Sequence, residues 1–180
     1  MKFIKTPLEG LMIIEPKVFL DDRGYFFEAY SEKVFCENGI TDVFVQDNES
    51  KSNKNVLRGL HFQKPNYAQA KLIRVIKGKV LDVVVDLRKN SKTYGKHFKI
   101  ELSEQNKKMF YVPKGFAHGF LTLENNTIFS YKCSNGYNKL AEDALLWNDK
   151  DLNIDWNISS PILSEKDKEA NNFNDFITPF

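Results

Sequence analysis

Cysteine is nearly absent. Cys36 and Cys133 are the only two in 180 residues, and they lie far apart. Neither a disulfide framework nor a cysteine zinc site is therefore available. They read as two reduced packing thiols of a cytoplasmic protein. Glycine (9) and proline (6) are scarce, which excludes fibrous and low-complexity classes. No stretch approaches the roughly 20 apolar residues of a membrane span. The start, Met1-Lys-Phe-Ile-Lys-Thr-Pro7, lacks the apolar run of about 7–15 residues that a signal peptide needs. A charge excess is missing too. Lys+Arg total 26 and Asp+Glu 24, for a net +2, so neither a nucleic-acid nor a membrane partner is indicated. What remains is 42% hydrophobic and 13% aromatic. That fills a core, and the length suits one domain over residues 1–180.

The dominant local signal is short runs of period two. Leu11–Ile14, Tyr25–Tyr30, Val43–Gln46, Val56–Phe62, Lys71–Ile76, Val80–Leu87, His97–Leu102, Met109–Val112, Phe120–Leu123 and Thr127–Cys133 read as strands. Turn signals such as Lys77-Gly78, Asn90-Ser91 and Asn125-Asn126 separate them. Many short strands without long helical patterns predict an all-β sandwich or barrel. Ser31–Glu37 reads as a helix that starts at a good N-cap residue and stops at Asn38-Gly39. Ser164–Ala170 reads as a second helix, with Asp167 three residues after Ser164 in a near capping box. The tail Asn171–Phe180 is either docked or loose.

Several strands carry polar residues where a dry core would not. Asp82 and Asp86 share a face with Val84, Lys71 shares one with Ile73 and Val75, and His118 one with Phe120 and Thr122. Such faces line either a barrel cavity or the solvated side of a sheet. Histidine is as scarce as cysteine: only His61, His97 and His118 occur. His118 lies in Pro113-Lys-Gly-Phe-Ala-His118, which resembles the second signature of the cupin barrels. Where their first signature supplies two more histidines, this chain has His61-Phe-Gln63, with Lys71 downstream. One His with Gln and Lys is a poor shell for a divalent cation, so no metal is expected.

The resemblance then becomes specific. Leu57-Arg-Gly-Leu-His-Phe-Gln63, the run Gln69–Arg88 and Ser91-Lys-Thr-Tyr-Gly95 resemble the dTDP-4-dehydrorhamnose 3,5-epimerase family. So do Asp21-Asp-Arg-Gly-Tyr-Phe-Phe-Glu28, Val45-Gln-Asp-Asn48, Tyr131-Lys-Cys133, Trp147-Asn-Asp149 and Pro161–Asp167. The resemblance implies a cupin-type jelly-roll β-barrel with a few short helices and no cofactor. The implied reaction inverts C3 and C5 of a nucleotide-linked 4-keto-6-deoxyhexose, dTDP-4-dehydro-6-deoxyglucose, to give the rhamnose precursor of surface polysaccharide. The ketone acidifies both flanking C–H groups. A base removes a proton, an enolate forms, and an acid returns a proton on the opposite face.

By resemblance His61 is the base, and an imidazole pKa of about 6.5 suits the task. Asp167 holds that imidazole, Lys71 stabilises the enolate oxygen, and Tyr131 is the acid on the other face. Arg58 and His118 resemble cavity groups near the sugar and its phosphate end. Arg23, Phe26 and Glu28 resemble the nucleotide end, with Phe26 able to stack on the base. In the family this N-terminal segment reaches a partner's site, which implies a homodimer. Gln46 and Asn48 resemble amide contacts to substrate, Tyr137 and Glu142 a second Tyr and a Glu of the site, and Lys166 a diphosphate contact. His97 reads as structural. Ala68, Ala70, Leu146, Lys150 and Asn153 depart from the family pattern, so rival readings are a single-site C3 or C5 epimerase, or an enzyme for another nucleotide sugar such as a GDP-4-keto-heptose. More distant rivals are a metal-dependent cupin and a non-catalytic nucleotide-sugar-binding cupin.

Overall fold

The computed structural model describes residues 1–180. It contains two main antiparallel sheets packed face to face. One sheet has the order β1 (Lys2–Lys5), β2 (Met12–Glu15), β10 (Met109–Val112), β7 (Lys71–Lys77), β12 (Thr127–Cys133), β5 (Gln46–Ser52). The other has the order β13 (Glu142–Ala144), β6 (Leu57–Gln63), β11 (Phe116–Thr122), β8 (Lys79–Asp86), β9 (His97–Ser103). A separate hairpin joins β3 (Phe19–Asp21) to β4 (Gly24–Phe26).

The period-two pattern holds because three apolar layers cover both faces of both sheets. Between the sheets lie Ile73, Val75, Phe110 and Phe129 from the first, against Val80, Val84, Phe116 and Phe120 from the second. Behind the second sheet, Leu60, Val83, Val85 and Leu121 meet Leu145, Leu152 and Trp156 of the C-terminal segment. Behind the first, Ile14, Leu72 and Met109 lie under Phe35 and Ile40. Burial on both faces explains why β8, β10 and β11 read as nearly continuous apolar runs. It also decides the alternative left open by sequence. Asp82, Asp86 and His118 are all buried, so the polar positions face the interior and not solvent.

Helix α1 (Glu32–Glu37) begins after Ser31 as expected, although the Ser31 hydroxyl makes no capping bond. It carries Phe35, whose ring meets Phe3 and Tyr30 edge-on; each such contact adds about 0.5–1.5 kcal/mol beyond the area buried. Gly39 ends it at φ +85°, a left-handed conformation that costs glycine little. Helix α2 is a single turn, Glu165–Lys168, shorter than the expected Ser164–Ala170. The tail is docked. Phe176 and Phe180 pack on Phe62 at 5.3 and 6.1 Å, and Lys89 N–H donates to the Phe180 carbonyl at 3.0 Å.

Some expectations are corrected. Of Val43–Gln46 only Gln46 is in a strand; β5 starts there and runs through a polar stretch. It was illegible because its inward residues are amides and hydroxyls. Of Tyr25–Tyr30 only the part to Phe26 is strand, and β1, β3 and β13 were missed. Those three are short and lie at sheet edges or in the isolated hairpin, where apolar alternation is weakest. Cys133 packs in the interior, but Cys36 is exposed.

Asp86 is a conspicuous buried charge. Its carboxylate accepts five hydrogen bonds, from Arg88 Nε (2.9 Å), Nη2 (2.8 Å) and N–H (3.0 Å), Ser91 Oγ (2.6 Å) and Thr93 Oγ1 (2.7 Å). Burial pushes the carboxyl up, but these donors outweigh it and hold it at about 2. A folded-state value below the unfolded one stabilises above the unfolded value and is lost as pH falls through the folded one. Asp86→Asn is therefore expected to cost about 2 kcal/mol at pH 7. The deficit should shrink between about pH 4 and pH 2, as read by urea unfolding at several pH values. A pH-independent deficit would mean that the carboxylate charge is not what matters.

Candidate active site

Residues of both sheets line two adjoining cavities of about 370 and 240 Å3. His61, Lys71 and Tyr131 line both. His61 is supplied by β6 of the second sheet, whereas Lys71 (β7) and Tyr131 (β12) are neighbours on the first. Imidazole and phenol thus stand on opposite walls.

Local structure fixes His61. On β6 it pairs with His118 of β11 and Ala144 of β13. The pairing shifts register just beyond, where Gly59 and Gly119 bring the two backbones unusually close. A Cβ on Gly59 would stand 2.4 Å from Gly119 Cα, so glycine is required there. The His61 Nε2 lies 2.5 Å from Asp167 Oδ1. Asp167 is held in turn by Ser164, whose hydroxyl donates to Asp167 Oδ2 at 2.7 Å and accepts from Asp167 N–H at 3.2 Å. Burial pushes the Asp167 carboxyl up, but the bonds to His61 and Ser164 outweigh it and hold it below the usual range. The near capping box thus serves the site as well as the helix. With Nε2–H donated to this carboxylate, Nδ1 is the free basic nitrogen.

Burial pushes the Lys71 ammonium below its ordinary value, while Cys133, Asp82 and Glu142 oppose this. The ammonium sits 5.8 Å from the centre of the Tyr131 ring. Burial likewise raises the Tyr131 phenol, which therefore stays protonated through neutral pH. His118 Nε2 lies 3.1 and 3.0 Å from the two Asp82 oxygens in the buried wall. Burial lowers this histidine and raises this carboxyl, and their mutual attraction opposes both shifts. No three side chains of the His, Cys, Asp and Glu types gather as metal ligands do.

Most of the other expected residues gather at the same place. Arg58 lines the smaller cavity and donates to Ser52 Oγ from Nε (3.3 Å) and Nη2 (3.1 Å). Gln46 and Asn48 line the larger, joined by a 2.9 Å bond from Gln46 Nε2 to Asn48 Oδ1. The Tyr137 hydroxyl donates to Glu142 at 2.8 Å, and Lys166 forms an ion pair with the same carboxylate. Burial pushes Glu142 up, but Lys166 and Tyr137 outweigh it and hold it down. Arg23, Phe26 and Glu28 are not brought in. They lie on or beside the β3–β4 hairpin, outside both cavities, and Arg23 is paired with Asp21 at 2.6 Å. His97 lies at the far edge on β9, outside the cavities, as a structural residue would.

Sequence reasoning missed the roles of Gln63, Gln69, Ser50 and Ser52. Gln46, Asn48, Ser50 and Ser52 alternate along β5 with the exposed Asp47, Glu49 and Lys51. That period-two polar ladder was the available signal. The Ser50 hydroxyl is the one buried side-chain polar atom without a partner.

The family model described as dTDP-4-dehydrorhamnose 3,5-epimerase matches residues 5–175. The dTDP-4-dehydrorhamnose 3,5-epimerase of Shigella flexneri is 49% identical over 176 residues, 97% of each chain. The crystal structure of the Elizabethkingia anophelis enzyme of that name is 57% identical, covers 97% of each chain and superposes with a TM-score of 0.93. A Legionella pneumophila 3,5-epimerase, solved in complex with dTDP-4-keto-L-rhamnose, is 45% identical, with a TM-score of 0.92 over 96% of this chain and 93% of its own. More distant is a 3'-monoepimerase from Streptomyces bikiniensis bound to dTDP-quinovose, 30% identical, with a TM-score of 0.88 over 93% and 85%.

Proposed function

The chain belongs to the dTDP-4-dehydrorhamnose 3,5-epimerase family, and on that premise we propose how its residues perform the reaction. The protein is an isomerase with the cupin-type fold of its relatives. It inverts C3 and C5 of dTDP-4-dehydro-6-deoxyglucose to give dTDP-4-dehydrorhamnose. The observation that carries the residue assignment is the placement of His61 and Tyr131 on opposite walls of one cavity, with Lys71 beside Tyr131.

The sugar lies between the walls with its ketone oxygen at Lys71. His61 Nδ1 takes the proton from a carbon next to the ketone. The C–H electron pair becomes the enolate, and its negative oxygen meets the Lys71 ammonium. Asp167 stabilises the imidazolium that forms. Tyr131 then gives its proton to the same carbon from the other face, which inverts it. Proton exchange with water resets His61 and Tyr131, and the second carbon follows the same course. A phenol pushed above its ordinary value by burial is still a stronger acid than the C–H next to the ketone that it forms, so the donation runs downhill.

Arg58, His118, Gln46, Asn48, Tyr137, Glu142 and Lys166 bind the substrate in this reading. The hairpin bearing Arg23, Phe26 and Glu28 completes the site of a second copy, so the working unit is a homodimer. The support for this is an exposed apolar surface on that hairpin: Leu20 is 80% exposed and Phe26 69%. No helix is long and apolar enough to cross a membrane. We place the enzyme in the cytoplasm, where its two free thiols fit a reducing medium.

Proton NMR of the product tests the reaction. Inversion at both carbons is expected. Inversion at C3 alone would make this a monoepimerase, a reading disfavoured by the lower identity to the 3'-monoepimerase (30%) than to the 3,5-epimerases (49% and 57%).

A further inference from the structure

We infer that Gln63 is a positioning residue that fixes Tyr137 over the cavity mouth and thereby sets affinity for the nucleotide sugar. The inference rests on the epimerase reading above for its ligand. Gln63 follows His61 by two residues on β6, is 5% exposed and lines the larger cavity. Its whole amide is engaged with backbone. Nε2 donates to the carbonyls of Tyr67 (2.8 Å) and Gly136 (3.1 Å), and Oε1 accepts from Asn138 N–H at 2.6 Å.

Two of those contacts bracket Tyr137. The N–H of Tyr137 itself donates to Gln46 Oε1 at 3.1 Å. Three consecutive residues of an exposed loop are thus pinned by two inward-facing glutamines. The flanking residues have other anchors, Gln69 Nε2 donating to the Asn135 carbonyl at 2.8 Å and the N–H groups of Ala141 and Glu142 to the Asn138 carbonyl at 3.2 and 3.1 Å, but the Gly136 carbonyl and the Tyr137 N–H are bonded by the two glutamines alone. A Cβ added to Gly136 would meet nothing within 4 Å, and the Tyr137 side chain is exposed. That aromatic contributes little to the core, yet its backbone is fixed at the rim of the site. The pin also reaches the dyad's neighbours. The Tyr137 phenol meets Glu142, which pairs with Lys166, the residue before Asp167. A rim aromatic held in place before binding spares the ordering cost that binding would otherwise include.

The test measures dTDP affinity by calorimetry, and KM and kcat by NMR, for Gln63→Leu, Tyr137→Ala and the double variant. Gln63→Leu strips all three bonds and leaves three loop backbone groups without their protein partner. It is expected to weaken dTDP binding and raise KM by about tenfold, with kcat and its pH profile little changed. The double variant should bind no worse than the weaker single variant, because Gln63 acts through Tyr137. Gln63→Met keeps the length and approximate volume without adding charge, loses the same three bonds, and should show a loss in the same direction. It keeps the test standing if the leucine variant misfolds. Unchanged affinity, losses that multiply in the double variant, or a fall in kcat at constant KM would overturn the inference. A wild-type protein that binds dTDP but epimerises nothing would instead overturn the epimerase reading, and calorimetry would still judge Gln63.

Discussion

His61→Ala is expected to abolish proton exchange at the sugar while leaving nucleotide-sugar binding largely intact. The dyad has no substitute: the other imidazole lining the cavities, His118, is already engaged by Asp82 through Nε2 in the wall. A positioned base contributes about 10²–10⁴-fold, so kcat should fall by about 10³-fold or more, with KM changed by no more than a few fold. Asp167→Asn keeps the volume but removes the charge that faces the imidazolium. It should cost about 10²-fold or more by the same logic. Near-normal exchange in His61→Ala, measured by mass spectrometry of the recovered sugar nucleotide, would remove His61 from its role.

Lys71→Met is the second large effect. The ammonium is needed only once the enolate oxygen carries charge, so its loss should appear in kcat. Losing one such preorganised group costs about 10²–10³-fold. The pH dependence follows from burial, which holds Lys71 below its ordinary value. In wild type kcat/KM should fall on the alkaline side at a pH under the ordinary lysine value of about 10.4. Tyr131, pushed up by burial, deprotonates later and does not set that limb. Lys71→Met should lack the limb.

Stability should move the opposite way. A base whose folded-state value is lowered opposes folding below that value, and the penalty is relieved as pH rises towards the unfolded value. Lys71→Met is therefore expected to hold or raise Tm at neutral pH while activity collapses. Loss of both together in calorimetry and kinetics would mean that Lys71 is a structural residue.

The legible part of the fold was the part made of apolar alternation. β7, β8 and β10 were readable because their inward and outward faces both meet apolar layers, and β12 because Phe129 and Tyr131 alternate inward with polar residues outward. β5 was not, because its inner face is a ladder of amides and hydroxyls that looks like a loop. In the site, His61 and Lys71 were legible as chemistry-bearing residues on strands, Tyr131 only through the family resemblance, and the fold places the imidazole on the wall facing the other two. The 2.5 Å contact joining His61 to Asp167 spans more than half the chain, and only the resemblance to a family suggested it. The Gln63 pin was invisible for another reason. Its partners are backbone groups, which no residue type announces.

Isotope exchange tests the central claim most directly. The substrate is incubated with the wild-type protein in D2O, and deuterium is located by mass spectrometry and proton NMR. The two-wall arrangement predicts deuterium at both C3 and C5 of the product, with both centres inverted. Inverted product without solvent deuterium, or binding without exchange at either carbon, would contradict it.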